Sequence, residues 1–164
     1  IVLGHVGRFA KQKNHTFLIQ VFASYIKKHP NAYLMLIGDG DLRAEIERQV
    51  ANVGLTDKTI FVGQTDEIAA YLSAMDVFVF PSLYEGMPNT VIEAQASGLP
   101  CVISDTITKE ANVTGNVSYL AIDHAERWGD YIADINLERR KNVDMSAYDI
   151  KEVVKRFIEL CYLN

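Results

Sequence analysis

The chain has 164 residues, of which 49% are hydrophobic, and this length fits one globular domain that we expect to span residues 1–164. Its net charge is -5, with acidic and basic residues mixed along the chain, which argues against nucleic acid as a partner. No apolar run approaches the roughly 18 residues needed to span a bilayer, and the separated cysteines, Cys101 and Cys161, suit reduced core thiols of a cytoplasmic protein.

Apolar runs alternate with helical patterns along the chain. The apolar runs predict strands at residues 1–7, 32–38, 59–63, 77–82, 101–105 and 117–122. The segments between them predict helices at residues 14–29, 41–54, 65–75 and 90–98, and two more helices, joined by the polar residues 136–146, are predicted at the end. Apolar strands separated by helices indicate a parallel sheet covered on both faces, which is a Rossmann-like, doubly wound α/β domain.

In such a sheet, ligands bind beyond the carboxyl ends of the strands, so the loops that follow strands are candidate sites. The first of these loops, "GRFAKQKN", carries Arg8, Lys11 and Lys13. The planar fork of an arginine grips two phosphate oxygens and a lysine adds a compact charge, so Arg8 and Lys13 suit a diphosphate. A solvated basic loop is the alternative.

The loop "GDGD" at residues 38–41 allows three interpretations. A dinucleotide fingerprint fails, because a third glycine would be needed where Arg43 stands. Asp39 and Asp41 could hold a divalent cation beside a nucleotide diphosphate. In a purely structural interpretation, the glycines turn the chain and Asp39 or Asp41 caps the next helix.

The segment "PSLYEGMPNTVIE" contains two glutamates of different character. Pro81 ends the strand, and Gly86 and Pro88 fold a tight loop before a helix that begins near residues 89–90. Glu85 therefore lies at a strand end, where a carboxylate can accept hydrogen bonds from sugar hydroxyls. Glu93 fits a capping box, in which it would reach back to the backbone N–H of Thr90, and it also remains a candidate ligand contact.

The histidines show no spacing that would build a metal site, and a lone histidine is most often structural or solvated. They are His5, His15, His29 and His124.

Together these segments resemble, in order and spacing, the C-terminal donor-binding domain of retaining family 4 glycosyltransferases (glycosyl transferases group 1) with the GT-B fold. The segments are "GRFAKQKN", "LMLIGDGDLRAEIE", "IFVGQTDEIAAYLSAMDVFVFPSLYEGMPNTVIEAQASGLPCVISD" and "TITKE". The likeness is greatest to bacterial capsular and exopolysaccharide enzymes.

The resemblance implies a role for each matching residue. Arg8 and Lys13 would bind the donor diphosphate and steady the leaving group, Glu85 would contact the donor sugar, and Glu93 would bind the ribose hydroxyls. The loop and helix start whose amides lie against sugar and phosphate would comprise Gly86, Met87, Pro88, Asn89 and Thr90. Val62 and Gly63 would contact the base. The chain has Gly-Met-Pro after Glu85 where Gly-Phe-Gly is the most frequent pattern.

The resemblance also implies the reaction and its partners. The donor would be a nucleotide diphosphate sugar, with UDP-sugar favoured, and neither a cofactor nor a metal would be required. We expect the chain to be a piece of a longer enzyme whose N-terminal domain binds a saccharide or polyprenyl-linked acceptor. That enzyme would be cytoplasmic, with peripheral association at the inner face of the plasma membrane. The alternatives are a metal-dependent transferase using Asp39 and Asp41, a nucleotide-sugar epimerase of GT-B fold, and a non-catalytic nucleotide-binding module.

Overall fold

The computed structural model describes residues 1–141 and 143–148. Cys161 and the second of the two predicted terminal helices lie outside these residues. Cys101 is 1% exposed and burial raises the pKa of its thiol, in agreement with the prediction of a core position.

Residues 1–141 contain one sheet of six strands, in the order β3-β2-β1-β4-β5-β6, and all its described pairings are parallel. The strands are β1 (Val2–Val6), β2 (Tyr33–Ile37), β3 (Thr59–Gly63), β4 (Val77–Phe80), β5 (Cys101–Ser104) and β6 (Val117–Leu120). The predicted Rossmann-like fold is confirmed. The strand order reverses beside β1, so the loops that follow β1 and β4 emerge next to each other at the carboxyl edge.

In the described part of the chain, five α-helices cover the sheet: α1 (His15–Tyr25), α2 (Arg43–Asn52), α3 (Ile68–Ala74), α4 (Asn89–Ala96) and α5 (Ala125–Asp134). The predicted start of α3 is wrong by three residues, because Thr65 accepts a hydrogen bond from the Glu67 amide and holds the acidic residues in a turn. Within the described residues, none of these helices is both long and apolar enough to cross a membrane.

The core has two layers, one on each face of the sheet. Strand β4 shows the alternation: Val77 and Val79 pack with α1 and α5, while Phe78 and Phe80 pack with α3 and α4. All four side chains are fully buried. This burial on both faces explains why the strand is apolar at every position.

The polar segment predicted as a connection is anchored to the sheet domain by Arg139. Its guanidinium donates hydrogen bonds to the carbonyl oxygens of Leu72 and Ser73 at the end of α3, at 2.6 and 3.0 Å, and to that of Ser97 after α4, at 2.8 Å. A cation suits these positions, because the last carbonyls of a helix have no partner within the helix and carry partial negative charge. Arg139 thereby ties α4 to α3.

Two buried histidines meet between β1 and α1. His5 is fully buried and its Nδ1 lies 2.9 Å from the carbonyl oxygen of Val79, while His15 is 2% exposed and stacks on Phe9. The two histidine rings are edge to face, with centroids 4.8 Å apart. The sequence spacing gave no sign of this contact, and within the described residues no group of three or more His, Cys, Asp or Glu side chains could hold a metal ion.

Burial is the main reason that both rings stay neutral. It lowers the pKa of His5 well below its usual range, with the neighbouring His15 and Lys13 adding to the effect. It also lowers the pKa of His15 to about 4, with a further contribution from the charge of Lys13. Within the described residues, His5 Nε2 and both nitrogens of His15 have no hydrogen-bond partner.

The two histidines predict an acid-sensitive fold. The unfolded chain protonates these rings below about pH 6.5, whereas folded His15 does so only near pH 4, so the free energy of unfolding should fall as the pH drops through this window. Each ring should contribute a slope of about 1.4 kcal/mol per pH unit. His15→Leu should remove one such contribution, measured by urea unfolding between pH 7 and 5.

The exposed His124 provides the matched control, His124→Gln. A wild-type pH slope in the His15→Leu variant would contradict the proposed source of the acid sensitivity.

Candidate functional site

A cleft of about 810 Å³ opens at the carboxyl ends of β1, β2 and β3. Residues 6–8, 37–41, 64–66 and Ile68 line it. Val62 and Gly63, the predicted base contacts, immediately precede the lining residues of the β3 loop. The sequence marked this loop as a candidate by its position after a strand but singled out neither Gln64 nor Asp66.

The glycines of "GDGD" are required because the loops after β1 and β2 touch. Gly38 has a φ of +128°, and a Cβ there would lie 2.3 Å from the carbonyl oxygen of Gly7. The Phe9 amide donates to the carbonyl oxygen of Asp39 at 2.9 Å, and the Leu42 amide donates to that of Phe9 at 3.0 Å. The structural interpretation of this motif is thus correct for its glycines.

The predicted capping role of the aspartates is wrong. Helix α2 begins at Arg43, with Leu42 as its N-cap residue and no side-chain cap. Asp39 instead accepts a hydrogen bond from the Gly40 amide at 2.8 Å, which orders the turn itself. Asp41 faces Arg8, and the guanidinium and carboxylate are 3.3 Å apart.

Arg8 lies on the wall of the cleft, and its side chain is largely exposed. Its side chain is 69% exposed and that of Asp41 is 87% exposed, so their ion pair contributes little energy and is easily exchanged for another anion. Arg8 is therefore available to a ligand in the cleft.

Lys13 and Glu85 are not among the described residues that line the cleft, and they form a largely buried polar contact between the loops that follow β1 and β4. Lys13 Nζ donates to Glu85 Oε1 at 2.6 Å, and the two side chains are only 17% and 9% exposed. The ammonium group also lies 4.7 Å from the centre of the Phe80 ring. The sequence predicted these residues as separate contacts to phosphate and sugar, and the structure brings them together.

Backbone contacts hold the two loops that carry this ion pair. Lys13 ends a short 3₁₀ helix, Lys11–Lys13, at the start of α1. The Leu83 amide donates to the carbonyl oxygen of Gln12 at 2.8 Å, and the Gln12 side chain donates to that of Tyr84 at 2.8 Å. Lys11, on the same turn, points to solvent.

The capping box at the start of α4 is also wrong. The helix begins at Asn89 with Pro88 as its N-cap residue, and no side chain of the described residues caps it. The Pro88 carbonyl already accepts from the amides of Val91 and Ile92, at 3.0 and 3.3 Å, so Thr90 lies inside the first turn. Glu93 is exposed and its carboxylate accepts no hydrogen bond within the described residues.

The backbone before and at this helix start is rich in free donors. Within the described residues, the amides of Gly86, Met87, Asn89 and Thr90 donate no hydrogen bond. Free amides at a helix N-terminus favour anions, because they point outward and carry the positive end of the helix dipole. The predicted phosphate and sugar contacts of this loop are therefore geometrically available.

Comparisons with known proteins agree with the fold and the motifs. The model of the family "Glycosyl transferases group 1" matches residues 1–138. A putative glycosyltransferase, EpsF, of Bacillus subtilis is 41% identical over 135 residues, which are 81% of this chain and 35% of that protein. The Vi polysaccharide biosynthesis protein VipC/TviE of Salmonella typhi is 40% identical over 61% of this chain and 17% of that protein.

Among solved structures, that of Staphylococcus aureus TarM, in a complex that includes UDP, superposes with a TM-score of 0.76 at 22% identity, covering 98% of this chain and 32% of TarM. Anabaena HepE with UDP superposes with a TM-score of 0.72 at 21% identity, covering 80% of this chain and 38% of HepE. The chain thus spans about a third or less of the curated relatives named above. Because the family model matches residues 1–138, the chain belongs to the glycosyl transferases group 1 family.

Proposed function

We propose that the chain is the donor-binding part of a retaining glycosyltransferase that uses a nucleotide diphosphate sugar. The observation that carries this proposal is the Lys13–Glu85 ion pair, which joins the loops after β1 and β4 at the strand ends. The loop that carries Glu85 continues into the free amides at the start of α4. One cationic and one carboxylate group so placed suit a ligand that joins a diphosphate to a sugar.

The relatives favour a uridine nucleotide. A UDP-Gal-dependent galactosyltransferase of Escherichia coli is 36% identical over 68% of this chain, and TarM and HepE were solved with UDP. We therefore place the base against Val62 and Gly63 and the ribose against Glu93. The diphosphate lies against Arg8, Lys13 and the free amides at residues 86, 87, 89 and 90.

The chemistry follows from where charge develops. Breaking the anomeric C–O bond leaves negative charge on the departing diphosphate, and preorganised cations and amides stabilise that charge more in the transition state than in the ground state. Arg8 and Lys13 perform this role without a metal ion. Glu85 orients the sugar by accepting hydrogen bonds from its hydroxyls, and the new glycosidic bond keeps the α configuration.

The acceptor lies outside this chain in the proposal. An additional N-terminal domain of a longer protein holds a growing polysaccharide or a lipid-linked saccharide, as the names of the polysaccharide-synthesising relatives suggest. Such an acceptor places the longer protein on the cytoplasmic side of the plasma membrane, in peripheral contact with it.

We predict that UDP affinity depends on Lys13 but not on Lys11, which lies on the same turn. Lys13→Met keeps an unbranched side chain of similar length but removes the charge that lies 4.7 Å from the centre of the Phe80 ring. It should weaken UDP binding about tenfold or more, as expected for a hydrogen bond to a charged group. The matched variant Lys11→Met, on the exposed side of the same turn, should bind UDP like the wild type. Isothermal titration calorimetry with UDP, GDP and ADP measures both.

Repeating the titration in EDTA tests the absence of a metal requirement. If UDP binds only with a divalent cation present, the transferase that uses Asp39 and Asp41 gains support instead. If none of the three nucleotides binds, the proposed site is refuted.

We predict that replacing Glu93 changes nucleotide binding but not the stability of the fold. Because its carboxylate caps no helix in the structure, Glu93→Gln should leave the thermal unfolding midpoint within about one degree of the wild type, as for other surface substitutions. It should reduce the preference for UDP over 2′-deoxy-UDP, since that preference depends on the ribose hydroxyl. A lower unfolding midpoint with an unchanged preference would restore the capping interpretation.

The transfer reaction itself requires the longer protein. We expect that protein, supplied with a radiolabelled UDP-sugar and a membrane extract, to incorporate label into a saccharide and to lose this activity in Lys13→Met. Interconversion of the sugar without an acceptor would identify an epimerase instead. UDP binding without either reaction would identify a non-catalytic module.

A further inference from the structure

Ser82, which no motif singled out, contacts the carboxylate of the Lys13–Glu85 ion pair. It lies two residues after the end of β4, is fully buried, and its hydroxyl donates to Glu85 Oε1 at 2.7 Å. Lys13 donates to the same oxygen at 2.6 Å. Within the described residues Glu85 Oε2 accepts no hydrogen bond, so one carboxylate oxygen is saturated and the other is free.

Ser82 is in turn held by the loop that follows β5. The hydroxyl of Thr106 donates to the carbonyl oxygen of Ser82 at 3.3 Å. The Ser104 and Thr106 hydroxyls lie 2.7 Å apart, and the Thr106 amide donates to the Ser104 hydroxyl at 3.2 Å. One arrangement of protons satisfies all of these contacts, with Ser104 donating to Thr106 and Thr106 donating to Ser82. The orientation of Glu85 is thus fixed from two neighbouring strands.

We propose that Ser82 is a positioning residue that locks the Glu85 carboxylate so that its second oxygen is presented to the donor sugar. This inference rests on the proposed function, since it assigns a task to Glu85. Lys13 alone cannot fix the carboxylate, because an ammonium group is a compact charge that bonds either oxygen equally well. The directional bond from the buried hydroxyl breaks this equivalence.

Such a role affects one part of the ligand only. Loss of the Ser82 hydroxyl leaves the backbone, Lys13 and the α4 amides in place, so the nucleotide should bind as before. The increment in affinity contributed by the sugar should fall, because Glu85 then has to be ordered when the sugar binds.

The test measures that sugar increment, defined as the dissociation constant of UDP divided by that of a UDP-sugar. It is measured on this chain with UDP-glucose, UDP-galactose and UDP-N-acetylglucosamine, taking the tightest binder. Ser82→Ala should lower the increment by about three- to tenfold, as expected for one hydrogen bond, with UDP affinity unchanged. Thr106→Val, which removes only the support of Ser82, should lower it less. Ser73→Ala, which deletes an exposed hydroxyl on α3, is the matched control.

A double-mutant cycle with Glu85→Gln distinguishes positioning from general damage. Ser82→Ala should have no further effect on the increment once Glu85 is replaced, whereas an unrelated structural effect would add. A wild-type increment in Ser82→Ala, or additive losses in the cycle, would overturn this inference while leaving the proposed function intact. If the wild type binds neither UDP nor any of the UDP-sugars, both fall.

Discussion

The contact between Lys13 and Glu85 joins the two halves of the sheet at the point where its strand order reverses. Each group is largely withdrawn from water, and a charge in that position is costly unless it has a partner. Their 2.6 Å contact supplies that partner across 72 residues of sequence. The ion pair adds to the hydrogen bonds of Gln12 with Leu83 and Tyr84, which hold the 3₁₀ turn on residues 82–85.

The neutral rings of His5 and His15 add no second positive charge beside Lys13. Two imidazole rings lie close by, and a positive charge on either would oppose the ammonium group. Burial, with a contribution from the charge of Lys13, lowers the pKa of both rings, so both rings stay neutral near neutral pH. The cost of this arrangement is that buried polar atoms, such as the ring nitrogens of His15, have no hydrogen-bond partner among the described residues.

The sequence predicted the fold well because the strands are buried on both faces. An uninterrupted apolar run such as that of β4 is hard to explain in another way, and the parallel order then places every candidate loop at one edge. The glycines of residues 38 and 40, Lys13 and Glu85 could be selected by position alone. Family resemblance added roles for them, and these roles remain proposals.

The start of α4, the contact of the two histidines and the role of Ser82 depend on three-dimensional geometry that the order of residues does not show. The capping box at Thr90 fits the spacing of residues, but the hydrogen bonds of α4 start from Pro88, one residue before the helix. His5 and His15 are ten positions apart and meet because the left-handed residue Asn14 turns the chain into α1. Ser82 lies in an ordinary strand end, and its significance appears only when the loop after β5 is placed beside it.

The close approach of Gly38 to Gly7 limits which sequence changes the loops after β1 and β2 can accept. The backbones of the two loops leave no room for a side chain between them, so neither loop can change its path without the other. A chimera that takes one of these loops from a relative keeps the fit only if the contacting residue is again a glycine, whereas exchanging both loops transfers the contact as a whole. The two loops therefore form one structural unit of the cleft.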